Sequence, residues 1–389
     1  MNKIKIKKLK LNPRRILYII TFILLVLSLA YLSKGFYNLV LNEKSAKDLF
    51  QRWQEQQYIY QGAYPYDVGK TIKVDPKIGM IRSGGYPPWA FFTGFLFVPP
   101  ISWNLTRLYF GLLNIISLVV LALFAFHLGK PYSCSKAWFS MAASLAISSH
   151  TTSLNNGQYG IIINAFLILM YWSLYKNWNL LAGLAFGVAM IKPNISALYI
   201  FVLLIRRRIK ALISFSIYLT FATLVICYLT KLSPFYLMEG MFRYSSYFAK
   251  QGYSLINVLM NFGLDSEVAT FVAPLLGLIV ITIISYLCRN YSLLTLFAIA
   301  SFVGRVWTYH RVYDNVMLIF LVFALLNLTF QNPKKLNIIV LSLLLITLWL
   351  PARITTLPYV EISQMAIWVI SLVYLLIQEY FRLRAQIRI

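Results

Sequence analysis

The sequence predicts an all-α polytopic membrane protein with a single membrane domain covering residues 1–389. Hydrophobic residues make up 60% of the chain and charged residues 12%, against about 25% charged in an ordinary soluble domain. Apolar runs recur along almost the whole length, and one helical span needs roughly 20 apolar residues. The chain therefore has room for on the order of twelve transmembrane or re-entrant helices and one long loop, without a separate soluble domain.

The charge distribution predicts the orientation. The formal net charge is +25, with 36 Lys and Arg residues. When the ends of the apolar runs are assigned to two sides, more than half of these bases lie on the side of the basic leader, residues 1–15, and every acid except Glu379 lies opposite. This is the asymmetry of the positive-inside rule, so charge here indicates topology and not a nucleic-acid partner. We expect both termini in the cytoplasm of a bacterium and the protein in its plasma membrane.

The first elements are a span and a long outer loop. Residues 16–33 carry no charge and form a longer run than the apolar region of a signal peptide, which favours an uncleaved first span. Residues 34–88 then form the first extracytoplasmic loop. Within it we expect a helix over residues 45–60, whose start is favoured by Ser45 as the N-cap.

The later apolar runs predict the rest of the bundle. Residues 89–100 are too short to cross and predict an interfacial or re-entrant helix, and residues 180–191 and 195–205 predict a broken hairpin with Lys192 at its tip. Residues 231–262 form a second extracytoplasmic passage. The other expected spans are residues 108–128, 138–149, 161–175, 211–230, 268–288, 291–306, 315–330, 336–350 and 365–380.

Several common chemistries have no signature in this chain. Cys134, Cys227 and Cys288 are odd in number and lie in or near spans, so they predict no disulfide framework. No His/Cys spacing resembles a zinc site, and the P-loop, dinucleotide-binding and nucleophile-elbow motifs are absent from the sequence. We therefore expect no cofactor and no built metal site, although a loosely held divalent ion stays open.

The polar passage 42–88 is the natural place for chemistry at a membrane surface. Asp48 is its candidate catalytic base, with the alternative that its carboxylate complements the dipole of the expected helix. Tyr64, Tyr66 and Tyr86 belong to proline-containing turns and could also form the aromatic edge of a sugar-binding or acceptor-binding pocket.

Two more groups of polar residues fall on the same predicted face. Asn156 and Gln158 lie where an outward span meets a return span and could bind sugar hydroxyls, although helix capping explains the asparagine equally well. Lys192 lies between two apolar half-helices, where a lysine either snorkels to the interface or meets an anion such as a phosphate.

The densest ionisable cluster of the second half contains four residues. Arg305 and Arg311 could bind a phosphate through charge-assisted hydrogen bonds. His310 and Asp314 are four residues apart, so on a helix the carboxylate could orient the imidazole. Asp314 is also a candidate sugar or acceptor contact. An interfacial salt-bridge patch at the end of a span is the structural alternative for all four.

Taken in order, these motifs resemble a known family. An Asp in the first outer loop is followed by G-A-Y-P-Y and Y-P-P, then by N-G-Q, A-G-L-A-F-G-V-A-M-I-K-P and H-R-V-Y-D. Over roughly residues 40–320 this order is similar to the polyprenol-phosphate-mannose-dependent mannosyltransferases of glycosyltransferase family 87, which have the GT-C membrane fold.

The resemblance implies an inverting glycosyltransferase with a GT-C-like fold. It would move a sugar, by family default mannose, from a polyprenyl-phosphate donor to a hydroxyl of a lipid-linked or cell-envelope glycan acceptor on the outer face. Asp48 matches the family's catalytic base, Lys192 and His310 match positions near the donor phosphate, and Gln158 matches the polar head of its span. The bases Lys44, Lys47 and Arg52 depart from the pattern and suit either an acidic acceptor or a plain loop surface.

Two other functions compete with this one. A transporter of a lipid or an anionic solute would also use broken helices and an intramembrane lysine, but it has little need of a long acidic and aromatic outer loop. An O-antigen ligase or polymerase would use membrane arginines and a late outer loop, whereas the large loop here comes first.

Overall fold

The protein is all-helical. The computed structural model describes residues 13–81, 84–249, 255–307 and 310–387, so most of the basic leader lies outside the described residues. Within them there is no strand, and the first ten helices are α1 Pro13–Val40, α2 Lys47–Tyr60, α3 Pro88–Phe97, α4 Trp103–Gly129, α5 Cys134–Leu145, α6 Ser149–Asn156, α7 Gly160–Tyr175, α8 Asn179–Ala189, α9 Pro193–Ser196 and α10 Ile200–Ile205.

The second half continues the bundle from α11. Its helices are α11 Ile209–Thr230, α12 Pro234–Ala249, α13 Leu255–Asn261, α14 Ser266–Leu287, α15 Leu293–Trp307, α16 Ile319–Gln331, α17 Lys335–Trp349, α18 Ala352–Thr355 and α19 Pro358–Ile387. Three 3₁₀ turns, Pro65–Asp67, Ala197–Tyr199 and Val312–Leu318, connect or extend these helices. The last of them leads directly into α16.

The membrane character of the chain is confirmed, but the expected count of about twelve spans is not. Among the described residues, six helical segments are long and apolar enough to cross a membrane: Arg14–Val40, Trp103–Gly129, Ile209–Thr230, Ser266–Leu287, Val312–Gln331 and Tyr359–Gln386. The pair α6 and α7 would add a seventh, bent by 115° at its break. The passage between the expected spans 138–149 and 161–175 therefore contains a helix that the sequence analysis did not predict, α6, and a sharp bend after it.

The lower count has a geometric reason. Two apolar runs that the sequence presents as crossings, residues 291–306 and 336–350, form helices of only 15 residues each, α15 and α17. At about 1.5 Å per residue, such helices fall short of the roughly 30 Å hydrocarbon core. Other helices cover α15, whereas α17 keeps one apolar face exposed, with Leu336, Ile338 and Ile346 on it. Apolar composition alone does not distinguish a helix buried in protein from one that faces lipid.

The long loop between α1 and α4, predicted to face outside, is folded around a hydrophobic core. Its residues have a hydrophobic core of their own, which includes Tyr58, Tyr64, Tyr66 and Ile78 and extends to Phe91 of α3. Polar ends of α2 side chains tie the helix to the turn before α4. The Trp53 Nε1–H donates to the Ile101 carbonyl at 3.0 Å, and the Tyr60 hydroxyl donates to the Val98 carbonyl at 2.9 Å.

The start of α2 differs from the prediction. The helix begins at Lys47, close to the expected boundary, but its N-cap is Ala46 in a left-handed conformation with φ of 56°, and no side chain caps it. The expected Ser45 cap is wrong. The backbone N–H of Ala46 donates to the Asn155 carbonyl at 2.8 Å. A tertiary contact with the end of α6 thus replaces a local cap.

The end of α1 is held by a residue from α4. Arg107 is buried, and its guanidinium donates to the carbonyls of Leu39, Asn38 and Asn42 at 2.7, 3.1 and 2.7 Å. These carbonyls belong to the last turn of α1 and the residues after it, where a helix leaves acceptors without intrahelical partners. The start of the outer loop is therefore anchored to the bundle.

Candidate functional site

Five predicted site residues meet in one continuous chain of polar contacts. Gln158 Nε2 donates to Asp48 Oδ2 at 2.5 Å, and Lys192 Nζ donates to Gln158 Oε1 and to Asp314 Oδ1, each at 2.9 Å. His310 Nδ1 lies 3.3 Å from Asp314 Oδ2. These side chains come from four separate segments of the sequence, so only the tertiary structure brings them together.

Asp48 reaches this chain because α2 packs closely on the bend between α6 and α7. Asp48 lies in the first turn of α2 and is half-buried. Gly157 ends α6 with φ of 69°, and a β-carbon at this position would collide with the side chain of Leu49. Glycine is the residue that adopts this conformation without strain and allows the close approach. The N-G-Q motif therefore has a structural reason that also places Gln158 against Asp48.

Lys192 lies at the break between two short helices, as the sequence predicts. It precedes Pro193, the first residue of α9, and its own backbone is non-helical with φ of −130° and ψ of 85°. Its side chain is 11% exposed and its ammonium group also lies 5.0 Å from the centroid of the Tyr313 ring. A buried ammonium requires an anion nearby. Asp314 supplies one, so the lysine does not snorkel.

Asp314 is the centre of the second half of the site. Its carboxylate, 1% exposed, contacts Lys192 through one oxygen and His310 through the other, and that second oxygen also accepts the backbone N–H of Arg311 at 3.1 Å. The predicted His310 and Asp314 pair is therefore present, although Val312–Leu318 is a 3₁₀ turn and not an α-helix. Asp314 is enclosed by protein groups, and this geometry favours orientation of Lys192 and His310 over contact with a sugar.

The amide of Gln158 has a defined orientation. A lysine ammonium is only a donor and a carboxylate is only an acceptor, so the Gln158 oxygen must face Lys192 and its nitrogen must face Asp48. The amide passes polarisation from the cation to the carboxylate that it holds. The partly exposed Asp48 carboxylate thus accepts one hydrogen bond from Gln158. Its remaining lone pairs can accept a hydrogen bond from a substrate hydroxyl.

The two arginines of the predicted cluster lie in different surroundings. Arg305 is 3% exposed, its Nε donates to Asn315 Oδ1 at 2.7 Å, and its guanidinium lies 5.5 Å from the Trp368 ring centroid. These contacts join α15 to the 3₁₀ turn Val312–Leu318 and to α19, and the role of Arg305 in binding a phosphate stays a prediction. Arg311 is exposed, and the contact that places it near the site is the one between its backbone and Asp314.

The three tyrosine candidates and Asn156 also lie in different surroundings. Tyr64 is buried in the loop core, and its hydroxyl donates to the Leu237 carbonyl at 2.8 Å. Tyr66 is buried too, and its hydroxyl accepts the backbone N–H of Tyr86 at 2.8 Å. Tyr86 itself is partly exposed. Asn156 donates to the Thr152 carbonyl of its own helix at 3.0 Å. Of these four, Tyr86 has the surroundings expected for substrate contact.

One pair beside the site was not anticipated. Arg52, expected to be an exposed base near Asp48, is 8% exposed and lies 2.5 Å from the Glu55 carboxylate, itself 2% exposed. Burial raises the pKa of Glu55 to about 8, and the Arg52 guanidinium opposes this shift. The i,i+3 spacing on the expected helix was the signal in the sequence that could have paired them.

Metal ligands show no clustering in the described residues. Within these ranges no group of three or more His, Cys, Asp and Glu side chains is arranged to hold a metal ion.

Comparison with known proteins adds one finding. The sequence profile described as glycosyltransferase family 87 matches residues 85–308, which is more than half of the chain. Among curated proteins, no sequence matches this chain. The matched region contains Tyr86, Gln158 and Lys192, and it ends just before His310.

Proposed function

Since this chain belongs to glycosyltransferase family 87, within the GT-C superfamily, we propose that it transfers a sugar from a polyprenyl-phosphate donor to an acceptor hydroxyl, with Asp48 as general base. Membership of this family shows that the protein is a membrane glycosyltransferase. We propose in addition that the sugar is mannose and that the acceptor is a lipid-linked or envelope glycan. The transfer is proposed to take place at the outer face of the membrane.

The observation that carries the proposal is the polar chain from Asp48 through Gln158 to Lys192. The amide of Gln158 alone separates the Asp48 carboxylate, which can accept a proton, from the Lys192 ammonium group, which can neutralise a phosphate. A glycosyl transfer from a phosphate donor needs these two functions on opposite sides of one anomeric carbon. Asp75, in the same loop, lies in no such arrangement; it accepts hydrogen bonds from the Lys77 backbone and from Gln61.

The chemistry follows from these positions. Asp48 accepts the proton of the acceptor hydroxyl as its oxygen attacks the anomeric carbon. The bond from that carbon to the phosphate oxygen breaks, and the electron pair leaves with the polyprenyl phosphate. Lys192 and His310 stabilise the developing negative charge, while Asp314 orients both. Direct displacement inverts the anomeric configuration. The lipid tail of the donor keeps the reaction at the membrane surface.

The test uses purified protein in nanodiscs with polyprenyl-phosphate mannose and a set of lipid and glycan acceptors. Asp48→Asn removes the base, and turnover is expected to fall by about 10²–10⁴-fold with donor binding retained. Asp75→Asn is the matched control and is expected to keep wild-type turnover. Turnover of Asp48→Asn at the wild-type rate would exclude the base assignment. Transfer from a nucleotide sugar but not from the lipid donor would exclude the donor class.

A further inference from the structure

The buried pair of Arg52 and Glu55 lies one helical turn from the proposed base. Asp48 and Arg52 are four residues apart on α2, so they share a face. Burying a guanidinium and a carboxylate removes both from water, and such a pair often adds little to stability compared with apolar residues. The surroundings of the pair indicate what it does beyond stability.

The pair is part of a closed ring of contacts around Tyr86. The Arg52 guanidinium lies 4.0 Å from the centroid of the Tyr86 ring. The Tyr66 hydroxyl lies beside the Glu55 carboxyl group and lowers its pKa, and the same hydroxyl accepts the backbone N–H of Tyr86 at 2.8 Å. Side chain and backbone of Tyr86 are thus held from two directions. A side chain ordered in advance loses less entropy when a ligand binds against it.

Tyr86 lies between the two halves of the site. It is only partly exposed. Burial raises the pKa of its hydroxyl, the nearby Arg52 and Lys192 charges oppose this shift, and the Asp48 charge adds to it. Trp89, one turn further along the chain, donates to the Met190 carbonyl at 2.9 Å, which fixes this segment beside the break that carries Lys192. The Tyr86 segment is therefore held between the face of α2 that carries Asp48, through Arg52, and the break that carries Lys192, through Trp89.

We propose that Arg52 is a positioning residue that holds the Tyr86 ring as the surface on which the sugar of the donor lies, so that this pair recognises the sugar and not the phosphate. The apolar C–H face of a hexose fits a flat aromatic ring, which offers a large and rigid contact area. Arg52 acts through Tyr86, because its guanidinium is already in contact with the Glu55 carboxyl group. The inference rests on the proposed function.

Two lipids separate sugar recognition from phosphate recognition. Binding of polyprenyl-phosphate mannose and of polyprenyl phosphate without sugar is measured on nanodisc protein in the absence of acceptor. Arg52→Lys, which loses the planar stack, and Tyr86→Leu are each expected to weaken binding of the sugar lipid by about tenfold. Both should bind the sugar-free lipid as the wild type does. Tyr86→Phe keeps the ring and is expected to bind both lipids normally.

The double variant tests whether Arg52 acts through Tyr86. If it does, Arg52→Lys adds nothing to Tyr86→Leu, because the ring that it holds is already gone. A role of Arg52 in the stability of the loop alone would leave the affinity ratio of the two lipids unchanged. Arg243→Lys is the matched control, because Arg243 forms an exposed pair with Glu239 on α12.

Several outcomes would overturn the inference. Equal weakening for both lipids, wild-type binding by folded Arg52→Lys, or additive losses in the double variant would each do so. If Arg52→Lys does not fold, Tyr86→Leu and Tyr86→Phe decide it, since equal sugar affinity in the two variants contradicts a role for the ring. A wild type that binds both lipids equally refutes this inference alone. A wild type that binds neither lipid refutes the proposed donor as well.

Discussion

The Lys192 ammonium lies 2.9 Å from the Asp314 carboxylate, and both side chains are almost completely enclosed by protein. In this form of the site the cation proposed to receive a phosphate is neutralised by an internal carboxylate. A donor phosphate would therefore share Lys192 with Asp314. The stronger the pair of Lys192 and Asp314, the less of the lysine charge is available to the phosphate.

Breaking this pair from one side should destabilise the protein. Lys192→Met leaves the Asp314 charge buried with His310 as its remaining side-chain partner, and the expected cost is about 3–5 kcal/mol. The double variant Lys192→Met, Asp314→Asn should recover much of this loss because no buried charge remains unpaired. Thermal unfolding in detergent measures both. Equal melting temperatures for the wild type and Lys192→Met would show that the pair carries no net stability.

The residue before Gln158 should matter for activity more than for folding. Gly157→Ala places a β-carbon against Leu49 in a backbone with φ of 69°. We expect α2 to shift and Asp48 to leave Gln158, with turnover reduced by about 10²-fold. Gly263 offers a matched control, because its φ is 92° but nothing lies within 4 Å of an added β-carbon. Similar activity losses in Gly157→Ala and Gly263→Ala would contradict this explanation and point to backbone strain alone.

The anchor at the end of α1 should affect the loop that carries Asp48. Arg107→Met removes donors from three carbonyls at the end of α1. We expect faster amide hydrogen exchange over residues 41–48 and lower turnover, because the loop start loses its fixed position. Hydrogen exchange read by mass spectrometry checks this. Arg289→Met, at an exposed turn far along the chain, should leave exchange in this segment unchanged; an equal effect there would argue against a specific anchor.

The buried carboxyl of Glu55 should make stability depend on pH. Its pKa is raised from an ordinary value of 4.5 to about 8 by burial. A folded state that holds a proton more tightly than the unfolded state loses stability as pH rises from the lower value to the higher one. The melting temperature of the wild type should therefore decline between about pH 5 and pH 8.

Glu55→Gln should reduce that decline, because the amide does not titrate. Glu239→Gln serves as the control, since its carboxyl is exposed on α12 and its side chain is 65% accessible. Differential scanning fluorimetry over the pH range gives the slopes. The same slope in the wild type and in Glu55→Gln would show that Glu55 keeps its charge on folding.

The candidate site was more predictable than the number of spans. Gln158, Lys192, His310 and Asp314 stand out because polar or charged residues next to apolar runs are costly without a partner. Asp48 stands out as an acid in the long polar passage 42–88. No local sequence pattern showed which of these residues contact one another. The break at Lys192 is visible from its proline, but the identity of the anion that meets it depends on a residue more than a hundred positions later.

The burial of Arg52 and Glu55 could not be predicted from the sequence. Both lie in a polar stretch of α2, where the expectation for charged residues is exposure to water. They are buried because the rest of the outer loop folds over α2 with its own apolar core. Burial is a property of what covers a residue, and the covering segments are distant in the sequence.

The chain composition and the spacing of its apolar runs were sufficient to predict an all-α membrane protein, its broken helices and the residues worth testing. These features depend on transfer free energies and on helix geometry, both of which act over a few turns of chain. Only the tertiary structure decided which apolar helices are covered by protein, that Ala46 is capped by Asn155, and that Gln158 links Asp48 to Lys192. Those outcomes depend on close contacts between segments far apart in sequence, where a single β-carbon at Gly157 is enough to prevent the approach.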